Sequence, residues 1–451
     1  MSVNRRRFLV SSGLSLVAGG LAAARGVSSP APRPASEPAN PVAPDLQDWS
    51  QVRNQFDLTR DLVHLSTFFI ASHPRPVRET IERYRRAIDE NPFRVVERGL
   101  FGSPEENIPA KVKAEIAAYL GGSPEEIALT GSTTVGLALV YHGLRIGPGQ
   151  EILTTLHDHY SHHESIRLAA EKSGATSRKI ALFDRLDAIS EDGIVDRIRR
   201  SLTPRTRAVG ITWVHSSTGL KLPIRRIAAA IGEANKGRQD ADRVLLIVDG
   251  VHGLGAEDET VATMGCDFFV SGTHKWMFGP RGTGIIWARQ AGWDRMRPTI
   301  PTFDSIAPYE AWMRNEVPAP PTRAAWISPG GFHAFEHQWA IGSAFQFHRQ
   351  IGRKRIADRI HLLNDQCKEG LARLPHVKLY TPRGSRLSAG IVCFDVEGMK
   401  PEQVVHRLLD RGIVASTTPY GNPYARVAGS ILNTPDEIDT FLREVRALAA
   451  S

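Results

Sequence analysis

The stretch SGTHKWMFGPRGTG, Ser271–Gly284, places one lysine, Lys275, shortly after the apolar run CDFFV. A second apolar run, VLLIV, is followed directly by Asp249. Ligands of open α/β sheets bind beyond the carboxyl ends of the strands, so Asp249 and Lys275 are expected to face one crevice. Burial lowers the pKa of a lysine and makes its amine a nucleophile toward aldehydes, while a buried carboxylate can hold a protonated ring nitrogen.

Short apolar runs alternate with helical patterns through the middle of the chain, as in EIALT, EILTT, RAVGITWV and RVLLIVDG. Such runs indicate a sheet that is buried on both faces and largely parallel, so the predicted fold class is α/β. We expect a large domain at residues 76–335 and a smaller α+β domain at residues 336–451. Residues 45–75 are expected to pack on the small domain. A capping box at Thr434 predicts the start of the last helix.

The N-terminal region differs in character from the rest of the chain. NRRRFLV, Asn4–Val10, precedes a mildly apolar stretch that ends in the small residues Ala22–Ala24. This resembles a twin-arginine export signal, although the first and last residues of the motif depart from the usual pattern. The resemblance implies a signal peptide at residues 1–24, the twin-arginine export machinery as a partner, a periplasmic location and no stable membrane span after signal removal. A membrane-anchoring or amphipathic N-terminus is the alternative.

Proline-rich residues 25–44 indicate an extended linker. The first 44 residues carry half of the net charge of +8, so the remaining bias is too weak to argue for nucleic-acid binding. The three cysteines, Cys266, Cys367 and Cys393, form no CxxC pair, so neither a metal site nor a disulfide framework is indicated. A single disulfide between two of these cysteines is the alternative in an oxidising compartment.

A lysine that forms a Schiff base, paired with an acid that keeps the ring an electron sink, is what pyridoxal 5'-phosphate (PLP) requires. VDGVHG, SGTHKW and GPRGTG, in that order, resemble the PLP-binding region of class V aminotransferases of fold type I, in the branch of the isopenicillin N epimerases and cysteine desulfurases. The resemblance covers about residues 64–445. It implies PLP as cofactor, a mostly parallel seven-stranded sheet and a homodimer.

The resemblance also assigns roles to four residues near these motifs. Lys275 matches the Schiff-base lysine, and His274 matches a residue that reaches the phosphate or supports the lysine. Asp249 matches the acid on the pyridine nitrogen. His252 matches the residue that bonds the phenolic oxygen of the ring, so the catalytic group is expected to be Lys275, Asp249 and His252.

Two further segments match cofactor-binding positions. TGSTT resembles the phosphate-binding turn, and a helix N-terminus with the hydroxyls of Thr133 and Thr134 suits a dianion. An ordinary helix cap is the alternative for this turn. Ser216, in WVHSSTG, occupies the place where relatives contact the phenolic oxygen or the substrate.

LHDHYSHH, Leu156–His163, contains four histidines in seven residues. The family carries an acidic residue followed by a ring-stacking residue here, which Asp158 and His159 match. A zinc site, as in a zinc hydrolase, and a solvated helical face are the alternatives. The resemblance assigns no metal.

A substrate carboxylate is best held by an arginine, because the planar guanidinium can bond both oxygens. Arg426, in YARVAGSILNTPDEID, matches the family's clamp. An α-amino acid, or an amino-acid residue of a peptide with a free carboxylate, is therefore the expected substrate.

The chain departs from the family at two points. No cysteine stands shortly before Arg426, where desulfurases need a mobile nucleophile, and Cys393 in AGIVCFDV is expected in the core. Desulfurase activity is therefore disfavoured. Gln338-Trp339 replaces the Gly-Thr that contacts the partner's phosphate in many relatives, which puts that contact in doubt. GPRGTG leads into a strand and opens no helix, so no nicotinamide site is indicated.

PLP chemistry at Cα leads to transamination, epimerisation, elimination or decarboxylation, and the sequence does not choose among them. LSTFFIASHPRPVRETIERYRRAIDENP resembles the periplasmic pyoverdine-maturation enzymes, which implies tailoring of a siderophore peptide. A non-catalytic protein that uses the fold to bind an amino-acid-like ligand is the alternative. The presence of Lys275, Asp249 and Arg426 argues against it.

Overall fold

The computed structural model describes residues 44–448. The predicted signal peptide and residues 25–43 of the predicted linker lie outside the described residues. The helices are α1 Trp49–Arg53, α2 Arg75–Glu90, α3 Pro92–Phe101, α4 Ile108–Leu120, α5 Thr133–Gly143, α6 Tyr160–Ser173, α7 Glu191–Ser201, α8 Ile224–Ala234, α9 Val261–Met264, α10 Gln290–Trp293, α11 Ile306–Met313, α12 Ala324–Ile327, α13 Phe335–Trp339, α14 Ile341–Ile351, α15 Arg353–Ala372, α16 Pro401–Leu409 and α17 Pro435–Ala447. The strands are β1 Val63–His64, β2 Ile127–Thr130, β3 Glu151–Thr155, β4 Thr176–Ile180, β5 Thr206–Thr212, β6 Leu245–Asp249, β7 Phe268–Gly272, β8 Gly284–Ala288, β9 Val377–Leu379, β10 Val392–Val396, β11 Ile413–Val414, β12 Ser416–Thr417 and β13 Ala425–Val427.

The large sheet has seven strands in the order β2-β8-β7-β6-β5-β3-β4. Only β8 runs antiparallel to its neighbours, β2 and β7, and the remaining pairs are parallel. Strands β2, β3, β6, β7 and β8 are buried along their whole length, because helices cover both faces of the sheet. The predicted α/β class and the mostly parallel seven-stranded sheet are confirmed.

Strand β6 lies between β5 and β7, and this position gathers the site. The register pairs Thr212 with Asp249 and Asp249 with Val270, so the three strands end at the same edge. The chain leaves β5 toward Ser216 and leaves β7 toward Lys275. These two residues therefore approach the end of β6 from opposite neighbours in the sheet.

The C-terminal part contains a four-stranded antiparallel sheet in the order β12-β13-β10-β9. The N-terminal segment adds β1, which pairs in parallel with β11, and Leu65 enters the same apolar core as Phe394 and Phe441. Thr434 accepts a hydrogen bond from the Glu437 amide at the start of α17, as the capping box predicts.

Helices α13 and α14 lie beyond the expected domain boundary at residue 335, yet they contact α2 and α4 on the large sheet's side. Trp339 is buried, and its indole packs edge-on against Tyr84 at 5.3 Å. A Cβ on Gly99 would stand 2.8 Å from this indole, so the bulk of Trp339 is matched by a glycine. Trp339 is thus a packing residue within this chain.

Strand β4 was not predicted from the sequence. Its sequence TSRKI is polar, because it forms the edge of the sheet and is largely exposed. Within residues 44–448, no helix has the length and the apolar character needed to cross a bilayer.

Candidate active site

A cavity of about 280 Å³ lies at the carboxyl ends of β5 and β6. Phe68, Phe69, Val251 and Pro419 contribute to its wall. The residues that the sequence analysis assigned to the site all line this one cavity: Thr133, Thr134, His159, Ser216, Asp249, His252, His274, Lys275 and Arg426. Their individual roles stay predictions.

Lys275 and His252 are in direct contact. Lys275 Nζ lies 3.2 Å from His252 Nε2, while His252 Nδ1 is buried without a hydrogen-bond partner. Desolvation lowers the pKa of Lys275 below the usual lysine value, and the nearby Asp249 carboxylate opposes part of this shift. Desolvation also places the pKa of His252 well below its usual value, so this imidazole is neutral. A neutral histidine and a lysine with a lowered pKa favour an uncharged, nucleophilic amine.

Asp249 lines the cavity and is 2% exposed. Its Oδ1 accepts a hydrogen bond from the Val251 amide at 3.1 Å. Desolvation raises the pKa of Asp249, and the charge of Lys275 lowers it in part. A carboxyl group with a raised pKa is suited to share a proton with a basic ring nitrogen.

The N-terminus of α5 forms one end of the cavity. Ser132 caps the helix by accepting a hydrogen bond from the Val135 amide, and the first amides of a helix have no partner within it. Thr133 Oγ1 accepts a hydrogen bond from the Gly272 amide at 2.6 Å, which fixes the helix to the end of β7. A Cβ on Gly272 would approach the His274 ring to 2.8 Å, so only glycine leaves room here. Free amides and the positive end of the helix dipole suit a phosphate dianion.

His159 and His274 stand on the wall of the same cavity. His159 caps α6, and its Nδ1 lies 2.9 Å from Ser161 Oγ. Desolvation and the charge of Lys275 lower the pKa of both rings, that of His274 to about 4. Neutral imidazoles are better suited to stacking on a ligand or hydrogen bonding to it than to pairing with a charge.

Arg426 is 6% exposed and is held in place by three contacts. Its Nε donates to Ser416 Oγ at 2.9 Å and its Nη1 donates to the Ser216 carbonyl at 3.1 Å, while its guanidinium lies 4.5 Å from the centre of the Phe68 ring. These contacts leave Nη2 without a protein partner among the described residues. A buried, positioned guanidinium with donors to spare is suited to clamp a carboxylate.

Tyr420 was not identified from the sequence. Its hydroxyl lies 2.7 Å from Ser216 Oγ, and its ring meets the His159 ring edge-on with 6.1 Å between centroids. Desolvation raises the pKa of Tyr420 to about 12, so the phenol keeps its proton. The one available signal was its place in the segment before Arg426, where desulfurases carry their nucleophile.

The histidines of Leu156–His163 do not converge. His157 stacks on Phe183 with 4.3 Å between centroids, and His162 Nε2 lies 2.7 Å from the Tyr141 hydroxyl. His163 Nε2 lies 2.7 Å from the Thr155 carbonyl. In the part of the chain that the structure describes, no three His, Cys, Asp or Glu side chains are grouped to hold a metal ion.

Asp158 is buried and holds the segments around the cavity in place. It accepts hydrogen bonds from the hydroxyls of Thr154 and Thr155 and, at 2.7 Å, from the amide of Thr212, which lines the cavity. Desolvation opposes ionisation, yet His162, His215 and these donors hold the pKa of Asp158 at about 2. The carboxylate therefore ties the end of β3 to the end of β5 and fixes the turn that presents His159.

The described cysteines are buried and unpaired. Cys393 is 0% exposed and does not line the cavity, although it pairs with Arg426 in the β10–β13 register. Desolvation raises the pKa of its thiol to about 12. A thiol in this state is protonated and enclosed, as expected of a core residue.

The residues that line the cavity fit PLP in their chemistry and in their placement around one space. An amine with a lowered pKa, a carboxyl group near it and a helix N-terminus surround one space. Gly272 leaves room for the His274 ring next to Thr133, and His252 Nδ1 offers a buried polar atom without a partner. These groups match an aldehyde, a pyridine nitrogen, a phosphate and a phenolic oxygen, which are the functional groups of PLP.

Comparisons with known proteins agree with this fit. The family model described as Aminotransferase class-V matches residues 71–443. Isopenicillin N epimerase of Streptomyces clavuligerus is 26% identical over 420 residues, which cover 89% of this chain and 99% of the relative. A probable cysteine desulfurase of Halalkalibacterium halodurans is 26% identical over 402 residues, which cover 85% of this chain and 92% of the relative.

Two solved structures share the fold. A variant of C-DES with glycine covalently linked to its PLP cofactor has a TM-score of 0.75 at 21% identity and covers 87% of this chain and 98% of its own. The apo cysteine desulfurase of Thermococcus onnurineus NA1 has a TM-score of 0.74 at 20% identity, with 89% and 98% covered. Since the family model spans most of the chain and the fold is shared, the chain belongs to the class V aminotransferase family and is a PLP-dependent enzyme.

Proposed function

We propose that this enzyme acts at Cα of an amino acid, or of an amino-acid residue of a peptide, that has a free amine and a free carboxylate. The observation that carries the proposal is that Lys275, Asp249 and Arg426 line one cavity. Lys275 is the group that reacts with the aldehyde, and Arg426 is the group that holds the carboxylate. The substrate carbon between amine and carboxylate then lies between these two residues.

Bound PLP supplies an electron-withdrawing ring that makes the Cα–H bond acidic. Asp249 would keep a proton at the ring nitrogen, because a buried carboxylate that lines the cavity stabilises a positive charge beside it. With PLP bound, the Lys275 amine would take or return the proton at Cα, because its lowered pKa leaves the amine uncharged in part. Arg426 and the Phe68 ring orient the substrate carboxylate.

The need for both a free α-amine and a free α-carboxylate restricts the substrate. Within a main-chain peptide, an internal residue has neither group, and each terminal residue has one of them. A residue that is joined to a peptide through its side chain keeps both. We therefore propose a free amino acid or a side-chain-linked residue as the substrate class.

Transamination, epimerisation and oxidative or decarboxylative tailoring all begin with chemistry at Cα. The similarity to an isopenicillin N epimerase, which covers 99% of that relative, supports epimerisation most directly. A side-chain-linked residue of a siderophore peptide fits the proposed substrate class as well. Export by the twin-arginine route and action in the periplasm belong to the same proposal. They are tested by fusing residues 1–44 to a folded reporter, with Arg5 and Arg6 replaced by lysine as the control.

Cysteine desulfurase activity is the second candidate, because named desulfurases are similar in sequence and in fold. The burial of Cys393 and the absence of a cysteine between β11 and Arg426 argue against it. We expect no persulfide on the protein and no sulfide release from cysteine above the level of a Cys393→Ala variant. Release that depends on Cys393 would establish the desulfurase instead.

We also propose a homodimer. Phe69 at the cavity and Tyr160, next to His159, are large apolar side chains that are 67% and 72% exposed. A second copy of the chain would bury such residues near the site. Sedimentation of the purified protein at several concentrations distinguishes a dimer from a monomer.

The primary test is solvent exchange at Cα. The PLP-loaded enzyme is incubated in deuterium oxide with a panel of free L-amino acids and with γ-glutamyl peptides, and deuterium at Cα is measured by mass spectrometry. Incorporation into at least one compound is expected. Binding of these compounds without any exchange, at full PLP occupancy, would support the non-catalytic ligand-binding alternative.

A further inference from the structure

The hydroxyls of Ser216 and Tyr420 form a pair beyond the carboxyl end of β5. Ser216 follows β5 and Lys275 follows β7, and these strands flank β6, which carries Asp249. Ser216, Asp249 and Lys275 all line the cavity. The Tyr420 hydroxyl lies 2.7 Å from Ser216 Oγ.

Arg426 brings the substrate carbon to this pair. Its Nη1 donates to the carbonyl of Ser216. The guanidinium that is proposed to clamp the carboxylate therefore lies beside the residue that carries the hydroxyl. Cα is one bond from the carboxylate. A substrate whose carboxylate is bound by Arg426 would therefore place Cα near Ser216 and Lys275, which approach the end of β6 from its two neighbouring strands.

We infer that Ser216 and Tyr420 form a second acid–base group, which acts on the face of Cα opposite Lys275 and makes the reaction an epimerisation. The inference rests on the proposed function and specifies its reaction type. Tyr420 is held for this task by its hydrogen bond to Ser216 and by the edge of the His159 ring.

The proton transfers balance without an oxidant or a reductant. On one face the Cα–H bond breaks, its proton passes to the Lys275 amine and its electron pair stays with the substrate. On the other face the Ser216 hydroxyl gives its proton to Cα, which forms the new C–H bond, and the Tyr420 phenol replaces the proton on Ser216. The ammonium of Lys275 and the Tyr420 phenolate then exchange one proton with water, which restores both groups.

Tyr420 has the protonation state that this role requires. Desolvation raises its pKa to about 12, and the Ser216 hydrogen bond lowers the value in part, so the phenol carries a proton to donate. The titratable and charged groups that influence it are Arg426, Asp158 and Asp249. The hydroxyl of Ser216 connects this donor to the cavity.

Glycine tests the inference, because its two α-hydrogens differ only in the face from which a base reaches them. In deuterium oxide the wild-type holoenzyme is expected to produce dideuterated glycine. Tyr420→Phe and Ser216→Ala are expected to stop at the singly deuterated product of one handedness, with exchange of the second hydrogen slowed by about 100-fold or more. Tyr424→Phe, which alters a tyrosine stacked on Tyr380, is the matched control and should behave as wild type.

A second readout separates a chemical role from loss of structure. PLP titrated into the apoprotein is expected to bind Tyr420→Phe with an affinity within about twofold of wild type, because the phenol contacts none of the groups assigned to the phosphate or the ring nitrogen. Equal slowing of both hydrogens together with weaker PLP binding would assign Tyr420 a structural role and overturn the inference.

The outcomes distinguish the inference from the proposed function. Wild-type enzyme that exchanges only one hydrogen overturns the second acid–base group and leaves chemistry at Cα intact. Exchange of both hydrogens at wild-type rates in Tyr420→Phe also overturns the assignment. Wild-type enzyme that binds glycine and exchanges neither hydrogen contradicts the proposed function itself.

Discussion

Lys275 Nζ lies 3.2 Å from His252 Nε2, and both residues line the cavity together with Asp249. The resemblance to the family assigns His252 to the phenolic oxygen of the ring. In the structure its Nε2 contacts the lysine, and its Nδ1 is buried without a partner. The imidazole is therefore placed to steady the amine of Lys275 as well as to meet a ligand atom.

Lys275→Ala is expected to abolish exchange at Cα, because it removes both the amine that reacts with the aldehyde and the base at Cα. Borohydride should attach PLP irreversibly to wild-type protein and not to the variant, as measured by the mass of the intact chain. Lys378→Ala, which changes an exposed lysine of the small domain, is the control. Attachment of PLP to Lys275→Ala at the wild-type level would place the reactive amine elsewhere.

Asp249→Asn is expected to affect activity and stability in opposite directions. Exchange at Cα should fall by about 100-fold or more, because an amide cannot hold the ring nitrogen protonated. In the apoprotein, the raised pKa of Asp249 means that its contribution to stability is present below the carboxyl group's unfolded pKa and is lost as pH rises through the folded value.

Asp249→Asn should therefore leave the free energy of unfolding of the apoprotein unchanged or higher at neutral pH. Urea unfolding of both proteins measures this difference. A clear loss of stability in the variant would mean that the ionised carboxylate is favourable where it stands. Asp395→Asn, a substitution at a half-buried carboxyl group outside the cavity, controls for general effects of the change.

Arg426→Lys is expected to weaken substrate binding even though it keeps the positive charge. A lysine lacks the planar fork and cannot replace both the Ser416 and Ser216 hydrogen bonds. The apparent KM for the amino acid should rise by about 10-fold or more, and Arg426→Ala should be worse. Steady-state kinetics with an active amino acid tests this, and an unchanged KM in both variants would remove Arg426 from the substrate site.

The apoprotein is expected to lose stability as pH falls below about 6.5. Desolvation lowers the pKa of His162 and His215 to about 4 and that of His348 to about 3. The unfolded chain therefore binds more protons than the folded chain between these values and the ordinary histidine pKa, so the free energy of unfolding falls in this range. The loss between about pH 7.5 and about pH 5 should be ~2 kcal/mol or more.

His348→Phe provides a matched test of this pH effect, because the ring lies beside Tyr119 and Phe278 and an aromatic replacement removes the titration. Its unfolding free energy should vary less with pH than that of wild type. His406→Gln, at an exposed position, should keep the wild-type slope. Parallel curves for all three proteins would contradict the assignment of the acid sensitivity to buried histidines.

Much of the site could be predicted from the sequence because its residues sit in short, ordered motifs. Asp249 ends an apolar strand, Lys275 follows the next one, and Thr133 opens a helix after a buried strand. In a parallel sheet such positions meet at one edge, whatever the details of packing. Arg426 has no strand-end signal of this kind and was identified only through its similarity to the family.

The tertiary structure alone decided which side chains touch. Ser216 and Tyr420 are 204 residues apart and meet because the segment after β5 packs against the segment before β13 beside the cavity. Packing between distant segments likewise buries Arg426 between Ser216 and Phe68 and makes Trp339 a core residue against Gly99. Local patterns record strand ends and helix starts, whereas a contact between distant segments depends on how the whole chain fills space. The sequence therefore determined the family and the cofactor, and the fold determined that Ser216 and Tyr420 lie in contact.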